Sequence, residues 1–444
     1  MVTSEEHVSL VSELAAWDLT AERRPSGVDM AGALETDAES VRGAIRALWS
    51  RAVEKHVTRP QADAPVAITE FLAPWRESWA TDPYLCYAEA YLASLSAATD
   101  RGLPATVTAP THRAVQAITD ALREVAEAAQ SAAGAAGVRA VAGQVLSLVD
   151  RDAAAAELAP LQNPSAAELV RFYYRDSGAL TYYGQPDITA LSHLAGREIV
   201  RSFVPVREVN TGARTGIGVS VDPAFFRIYA PWLYFYAQQL DDVDMNIFVC
   251  GEEAEVAEVL SDAEAFASAL GKLNLSGAPS NLSVYRVPVP QFVTRKKTFY
   301  ACARFFAADI MLEKYANAYL IDADLYLTDN PTAYFNAIRD VRFGVPVSTG
   351  GVRLSPWRRY AAGNVALNRD VLDTEILAQL QGYAAHGLRH SGDWMLDQNA
   401  LSYVIEQDGG RSFRALNEFG RPFSTSRFMA TWEASYRRAR RATV

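Results

Sequence analysis

The sequence predicts an α/β fold in the second half of the chain: a mostly parallel sheet with helices on both faces, preceded by an all-α domain. Two observations carry this. Up to about residue 200 the apolar residues recur three and four apart, in segments rich in Ala, Leu, Glu and Arg. After Gly212 short, continuously apolar runs alternate with helical segments, the pattern of strands buried on both faces.

The helical segments fall at Val41–Val53, Pro83–Ala98, His112–Ala133 and Val138–Leu158. Turn signals separate them: Thr58-Arg-Pro, Asp100-Arg-Gly-Leu-Pro and Asn163-Pro-Ser. The boundary lies within residues 200 to 214, which gives a helical domain over 1–205 and an α/β domain over 206–444. In the second domain Ile217–Val221 reads as a strand, followed by a helix over Pro223–Gln239. Met245–Cys250 and Leu282–Val287 are the next strands. A long amphipathic helix covers Lys297–Tyr315, with Phe299, Cys302, Phe306 and Ile310 on one stripe. Ala318–Ile321 is the best buried-strand candidate in the chain. In such sheets ligands bind beyond the carboxyl ends of the strands, so the chemistry is expected just after the apolar runs.

Composition narrows the function. Of 444 residues, 50% are hydrophobic and 21% charged, enough for a sizeable core. A net charge of -10 disfavours nucleic acid as a partner. The three cysteines form no CxxC pair, which fits neither a structural zinc site nor a disulfide framework. The N-terminal residues show no signal peptide, and Ala126–Val149 is too weakly apolar for a membrane span. A soluble cytoplasmic protein is expected. No P-loop, GxGxxG, HExxH or GxSxG occurs.

Three Asp-x-Asp pairs occur: Asp150/Asp152, Asp242/Asp244 and Asp322/Asp324. The first lies in the helical region. The second reads as a solvated turn before a strand. The third directly ends the buried strand, where an acid is costly unless paired or metal-bound. In extended backbone, residues two apart point the same way, so Asp322 and Asp324 can share a hard cation, Mn²⁺ or Mg²⁺, and leave positions for diphosphate oxygens. The alternative is that they cap the next helix or bond loop amides.

Around this pair, Ala303-Arg304-Phe-Phe and Glu313-Lys-Tyr-Ala-Asn-Ala-Tyr-Leu-Ile-Asp322-Ala-Asp324 resemble the glycogenin-like and lipopolysaccharide galactosyltransferase-like family of GT-A glycosyltransferases. Tyr360-Ala-Ala-Gly363-Asn364-Val-Ala-Leu-Asn368 resembles that family's acceptor-side strand. Asp393-Trp-Met-Leu-Asp397-Gln398 resembles its Asp-Gln helix start. The resemblance covers residues 215 to 420. It implies a Rossmann-like GT-A domain, a nucleotide-sugar donor (a UDP-sugar is favoured), a divalent metal and retention of anomeric configuration. The acceptor is open: a protein, a glycan or a small molecule.

Residue by residue, the resemblance implies metal binding by Asp322 and Asp324, with Asp322 also near the ribose. Arg304 would face the donor diphosphate or sugar; a helix-surface salt bridge is the alternative. Asp397 would hold a donor-sugar hydroxyl and Gln398 would sit beneath the anomeric carbon, with an N-cap as the alternative for both. Asp222 would mark the nucleoside edge, with Phe225 or Phe226 against the base or, as the alternative, buried in the core, and Gly363 and Asn364 would line the donor site. Two departures stand out. Ala361 occupies a position where the family has Asn, with Asn364 as a substitute, and no His follows His390 to complete the metal shell, leaving Asn417 or water. The basic run Arg295–Lys297 at the start of the long helix reads as solvated, with contact to phosphate as the alternative, and Arg437–Arg441 reads as an exposed helix end. An inactive scaffold and a sugar nucleotidyltransferase are the competing readings. The helical domain would recognise the acceptor or mediate assembly.

Overall fold

A computed structural model describes residues 109–128, 132–163, 174–272, 277–327, 331–348, 355–420, 422–424 and 427–442. The expected helices at Val41–Val53 and Pro83–Ala98, and Cys86, lie outside the described residues. The chain divides into two compact units. One contains the described residues up to Pro186 together with Ser348 and Ser355–Arg359, and the other contains Asp187–Val347 and Tyr360 onward.

The first unit is helical. It contains α1 (Ala109–Ala128), α2 (Ala132–Leu146) and α3 (Arg151–Leu158), followed by 3-10 turns at Ala159–Gln162 and Tyr174–Thr181. The single helix expected over Val138–Leu158 is two helices. The break comes at Asp150, whose side chain accepts from the Ala153 amide and caps α3. Val138, Val141 and Val145 of α2 are buried, and Arg123 of α1 reaches Glu157 of α3 at 2.9 Å. The segment Ser355–Arg359 belongs to this unit: Trp357 is fully buried, edge-on to Tyr182, and the Ser355 hydroxyl bonds Gln144.

The second unit is α/β. Its elements are α4 (Ala190–Arg201), β1 (Val204–Arg207), β2 (Thr215–Val221), α5 (Pro223–Gln239), β3 (Val243–Cys250), α6 (Glu253–Lys272), β4 (Leu282–Val287), α7 (Lys296–Lys314) and β5 (Asn317–Ile321). After these come β6 (Tyr326–Leu327), α8 (Thr332–Ile338), β7 (Phe343–Val345), β8 (Asn364–Asn368), α9 (Ile376–His390), α10 (Leu396–Gln407), β9 (Phe413–Ala415), β10 (Phe423–Ser424) and α11 (Arg427–Ala442). Among the described residues the main sheet has eight strands in the order β1-β4-β3-β2-β5-β8-β7-β9. The central four are parallel, as expected, and β9 also runs parallel to β7. The other flanking pairs are antiparallel: β1 with β4, β8 with β5, and β7 with β8. The sheet is therefore a mixed one with a parallel centre. The short flanking strands carry too few residues for their direction to be legible in sequence.

The two faces are covered by different helices. Ile217, Val219 and Val221 of β2 enter a core with Phe226, Leu233 and Val256 of α5 and α6. On the other face Gly216 and Gly218 let α7 approach: a Cβ would lie 2.4 Å from the Tyr315 ring and 2.5 Å from the Met311 sulfur. Helix α7 is buried on nearly all sides rather than along one stripe. Asp244, expected in a solvated turn, is fully buried inside β3. Its carboxylate accepts from the Thr211 hydroxyl at 2.7 Å and the Tyr315 hydroxyl at 3.1 Å, which offsets its desolvation.

In open α/β sheets ligands bind where the strand order reverses. From β2 the chain moves outward to β3 and β4, then returns to place β5 on the other side of β2. The crevice between the carboxyl ends of β2 and β5 is thus a topological switch point. Asp222 follows one strand and Asp322 the other.

Candidate functional site

Beyond β2, Asp222 is extended and accepts from the Phe225 amide at 2.7 Å, so it caps α5. Phe226 is fully buried in the core, whereas Phe225 is only partly covered, packing on Tyr229 at 5.2 Å. The Arg437 guanidinium of α11 lies 6.0 Å from the Phe225 ring.

Beyond β5 the chain turns sharply. The Asp322 amide donates to the Gly363 carbonyl at 3.1 Å, which ties this turn to the start of β8. One Asp322 oxygen accepts from Arg304 at 2.6 Å, and the other nitrogen fork of Arg304 donates to Asp397 at 3.1 Å. The second Asp397 oxygen accepts from the Gln398 amide at 2.9 Å. Arg304 therefore bridges two carboxylates 18 and 93 residues away in sequence. It is 2% exposed, which excludes a helix-surface salt bridge. Its Nε is buried with no hydrogen-bond partner. Burial opposes its charge, but Asp322 and Asp397 overcome this and raise its pKa. Burial also holds the Asp397 carboxyl above the ordinary range, against the pull of Arg304.

Gly363 fits this corner because it lacks a side chain. A Cβ there would stand 2.2 Å from the free Asp322 oxygen, while Arg304 holds the other. Gly363→Ala is expected to cost about 1–3 kcal/mol, a fall of several degrees in thermal midpoint, since the carboxylate cannot retreat without breaking its ion pair. An unchanged midpoint would show that the corner relaxes freely. The neighbouring Asn364 pairs with Ile321 across the sheet, and its side-chain oxygen accepts from the Tyr319 hydroxyl at 2.8 Å.

Asp324 is exposed and makes no ion pair among the described residues. Its pKa is raised to about 6, first by desolvation, then by the charge of Asp322 and of Glu433, with Arg304 opposing. Glu433, on α11, accepts from the Tyr229 hydroxyl at 2.9 Å. Nothing in the sequence pointed to Glu433, because α11 read as an exposed basic end. Its indole neighbour Trp432 fastens the helix to the Ile228 carbonyl at 2.9 Å.

Gln398 stands in the first turn of α10, and its side-chain amide has no hydrogen-bond partner among the described residues. The residue before that helix, Met395, is left-handed at φ 72, a strained conformation for a side chain of this size. Asn417 is not a ligand in waiting: both ends of its amide are bound to the Val347 backbone, at 2.7 and 3.1 Å. Among the described residues no group of three or more His, Cys, Asp or Glu forms a metal cage. Two carboxylate-bearing residues at the end of β5 still fit Mg²⁺ or Mn²⁺, which take one or two carboxylates and complete their shell with water and substrate phosphate. That Asp324 makes no ion pair among the described residues is the observation in favour.

No protein-family profile matches this chain, and no curated protein sequence does. Among solved structures it is similar to the galactosyltransferase LgtC in complex with donor and acceptor sugar analogs. That likeness has 15% identity and a TM-score of 0.29, and spans 42% of this chain and 69% of that one. It is similar to mouse xyloside xylosyltransferase 1 at 14% identity and TM-score 0.29, over 46% of this chain and 84% of that one. It is also similar to the glycosyltransferase GlyE of Streptococcus pneumoniae at 12% identity and TM-score 0.28, over 46% of this chain and 45% of that one. At these scores the likeness assigns no activity to this chain.

Two basic residues of the flanking helices pair with acids: Arg437 donates to Glu433 at 2.8 Å. Arg295 pairs with Asp393 at 3.5 Å, and Lys296 and Lys297 are exposed. Cys250 and Cys302 are buried thiols whose pKa burial pushes up, so neither is poised as a nucleophile. No described helix is long and apolar enough to cross a membrane.

Proposed function

We propose that the α/β unit is a GT-A glycosyltransferase, metal-dependent and retaining, that moves a hexose from a nucleoside-diphosphate sugar to an acceptor. One observation supports the reading: at the switch point of the sheet, Arg304 joins Asp322 and Asp397, while Asp324, two residues after Asp322, makes no ion pair among the described residues. Structural acids at strand ends are normally neutralised. An acid left without an ion pair there fits a cation that arrives with the substrate.

The residues then divide the work. Asp222 and Phe225 form the nucleoside edge. Asp322 and Asp324 hold a Mn²⁺ or Mg²⁺ ion, which when bound supplies charge neutralisation for the leaving diphosphate. Arg304 orients Asp322 toward the phosphates and Asp397 toward a donor-sugar hydroxyl, and so fixes the distance between leaving group and sugar. Gly363 and Asn364 line the floor. Gln398 places a neutral amide beside the anomeric carbon, where its carbonyl oxygen stabilises positive charge as the glycosidic bond breaks. A UDP-sugar is the favoured donor.

The test is incubation with a panel of nucleotide sugars and Mn²⁺, reading donor binding and release of nucleoside diphosphate. The expected result is metal-dependent binding of one donor class with slow release in water. If no donor binds with or without metal, the transferase reading fails. Binding without consumption, even with candidate acceptors, favours an inactive scaffold. The occupied amide of Asn417 and the lack of a third metal ligand among the described residues are the observations behind that second reading.

A further inference from the structure

Helix α11 packs on α5 just after Asp222, and a chain of contacts fixes where its side chains point. Met429 is buried in the core, and the Trp432 indole donates to the Ile228 carbonyl at 2.9 Å and meets Trp232 edge-on at 5.6 Å. Glu433, the next residue, divides its carboxylate. One oxygen accepts from the Tyr229 hydroxyl of α5 at 2.9 Å, and the other accepts from the Arg437 Nε at 2.8 Å. The Arg437 guanidinium so held lies over the Phe225 ring, 6.0 Å from its centroid.

A Glu–Arg pair one helical turn apart on a surface adds little to stability. This pair does more than lie on a surface, because Tyr229 ties it to α5 and Arg437 reaches back over Phe225. Phe225 is itself left half-used: Phe226 enters the core, while Phe225 is only partly covered. The same groups touch the other end of the site. Burial first, then Glu433 and Asp324, raise the pKa of the Tyr229 phenol, with Arg437 opposing. The charge of Glu433 likewise acts on Asp324. One continuous run therefore leads from Asp324 through Glu433 and Arg437 to Phe225. At one end is an acid suited to a cation, and at the other an aromatic face beneath a planar cation. A nucleoside diphosphate has its parts in that order, with metal-bound phosphates at one end and a flat base at the other.

We infer that Arg437 is a donor-binding residue: with Phe225 it forms the two faces of a slot, and the heterocyclic base of the nucleotide enters between them. This rests on the transferase reading, which supplies the nucleotide. A guanidinium is planar and weakly hydrated and stacks on aromatic faces, so it serves a base as a second ring would. Two stacking contacts of about 3.5 Å each need about 7 Å, roughly 1 Å more than the present separation of 6.0 Å. Arg437 is 48% exposed, so it makes that shift by rotation of its own side chain. Glu433, anchored by Tyr229, keeps the guanidinium from swinging into solvent when the slot is empty. A phosphate contact is the other use of a guanidinium, and the experiment separates the two.

The test is titration calorimetry on the full chain with Mn²⁺, using UDP, GDP, ADP and inorganic pyrophosphate as ligands. At least one nucleoside diphosphate is expected to bind the wild type more tightly than pyrophosphate does. Arg437→Ala should weaken that nucleotide about tenfold and leave pyrophosphate affinity and the thermal midpoint unchanged. Arg437→Lys keeps the charge and loses the plane, so it should fall with Arg437→Ala. Phe225→Leu should show the same pattern, and the double variant should lose little more than either single one, because both faces hold one base. An equal loss of pyrophosphate affinity, recovery in Arg437→Lys, unchanged nucleotide affinity in Arg437→Ala, or a wild type that binds no nucleoside diphosphate would each overturn the slot. Consumption of the matching nucleotide sugar is measured alongside. If the expected nucleotide pattern appears and no sugar is ever consumed, the slot stands and the transferase reading falls. If sugar is consumed and Arg437→Ala binds the nucleotide as the wild type does, the transferase reading stands and the slot falls.

Discussion

Arg304→Ala is expected to lower the thermal midpoint by on the order of 10 °C at pH 7.5, from a loss of about 3–5 kcal/mol. The reason is what the substitution leaves behind. Asp322 and Asp397 share one buried guanidinium, and without it two carboxylates face each other across the site. Asp397 already sits above its ordinary pKa because of burial, with Arg304 opposing that rise, so removing Arg304 drives it higher. A carboxyl whose folded pKa lies above its unfolded value destabilises the fold at high pH and ceases to do so as pH falls through the folded value. The deficit of Arg304→Ala should therefore be full near neutrality and shrink toward pH 4. Arg304→Lys keeps the charge but loses the planar fork that reaches both partners, so an intermediate midpoint is expected. Thermal denaturation of the three proteins across pH 4 to 8 reads this directly. A pH-independent deficit would mean that packing, not charge, is what Arg304 contributes.

The core of the sheet was legible because parallel strands buried on both faces read as unbroken apolar runs. β2, β3, β4 and β5 all fall where such runs occur. Helix α5 begins where Asp222-Pro223 predicts, since the acid caps and the proline opens the first turn. The flanks were less legible. β7 and β9 hold three residues each, too short for a period to show, and β1 exposes apolar residues on an edge. The membership of Ser355–Arg359 in the helical unit was also invisible, because it depends on what Trp357 packs against.

The same divide runs through the site. Asp322 and Asp324 stand out locally, since an acid directly after a buried strand is anomalous on sight. What Arg304 does was not readable, because its partners lie on other elements and sequence spacing says nothing of them. Asp244 shows the converse failure. An acid beside Asp242 looked solvated, yet Asp242 is left-handed at φ 58 and turns the chain so that Asp244 enters the strand, where two hydroxyls receive it. Glu433 reaches Asp324's surroundings only because Trp432 and Tyr229 dock α11 against α5.

Asp324→Asn is expected to separate function from stability in opposite directions. Metal-dependent donor binding should fall at least 100-fold, about 2.7 kcal/mol, because one of two protein ligands is gone. In metal-free protein the same change should raise the thermal midpoint slightly above pH 6. The sign follows from the folded pKa of about 6, above the ordinary value of 3.8. The folded state holds that proton more tightly than the unfolded chain, so the wild type loses stability as pH rises through this range, and the amide does not. The gain should vanish below pH 4, where both states are protonated. It should be small, a few degrees at most, because Asp324 is exposed and solvent screens its charge. The two readouts are donor titration with and without Mn²⁺, and thermal denaturation in chelator from pH 4 to 8. A donor affinity that is unchanged would remove Asp324 from the metal site. A midpoint that falls would mean the carboxylate supports the fold. The expected pair, binding lost and stability gained, is the signature of an acid retained against the stability of the fold because a cation arrives with the substrate.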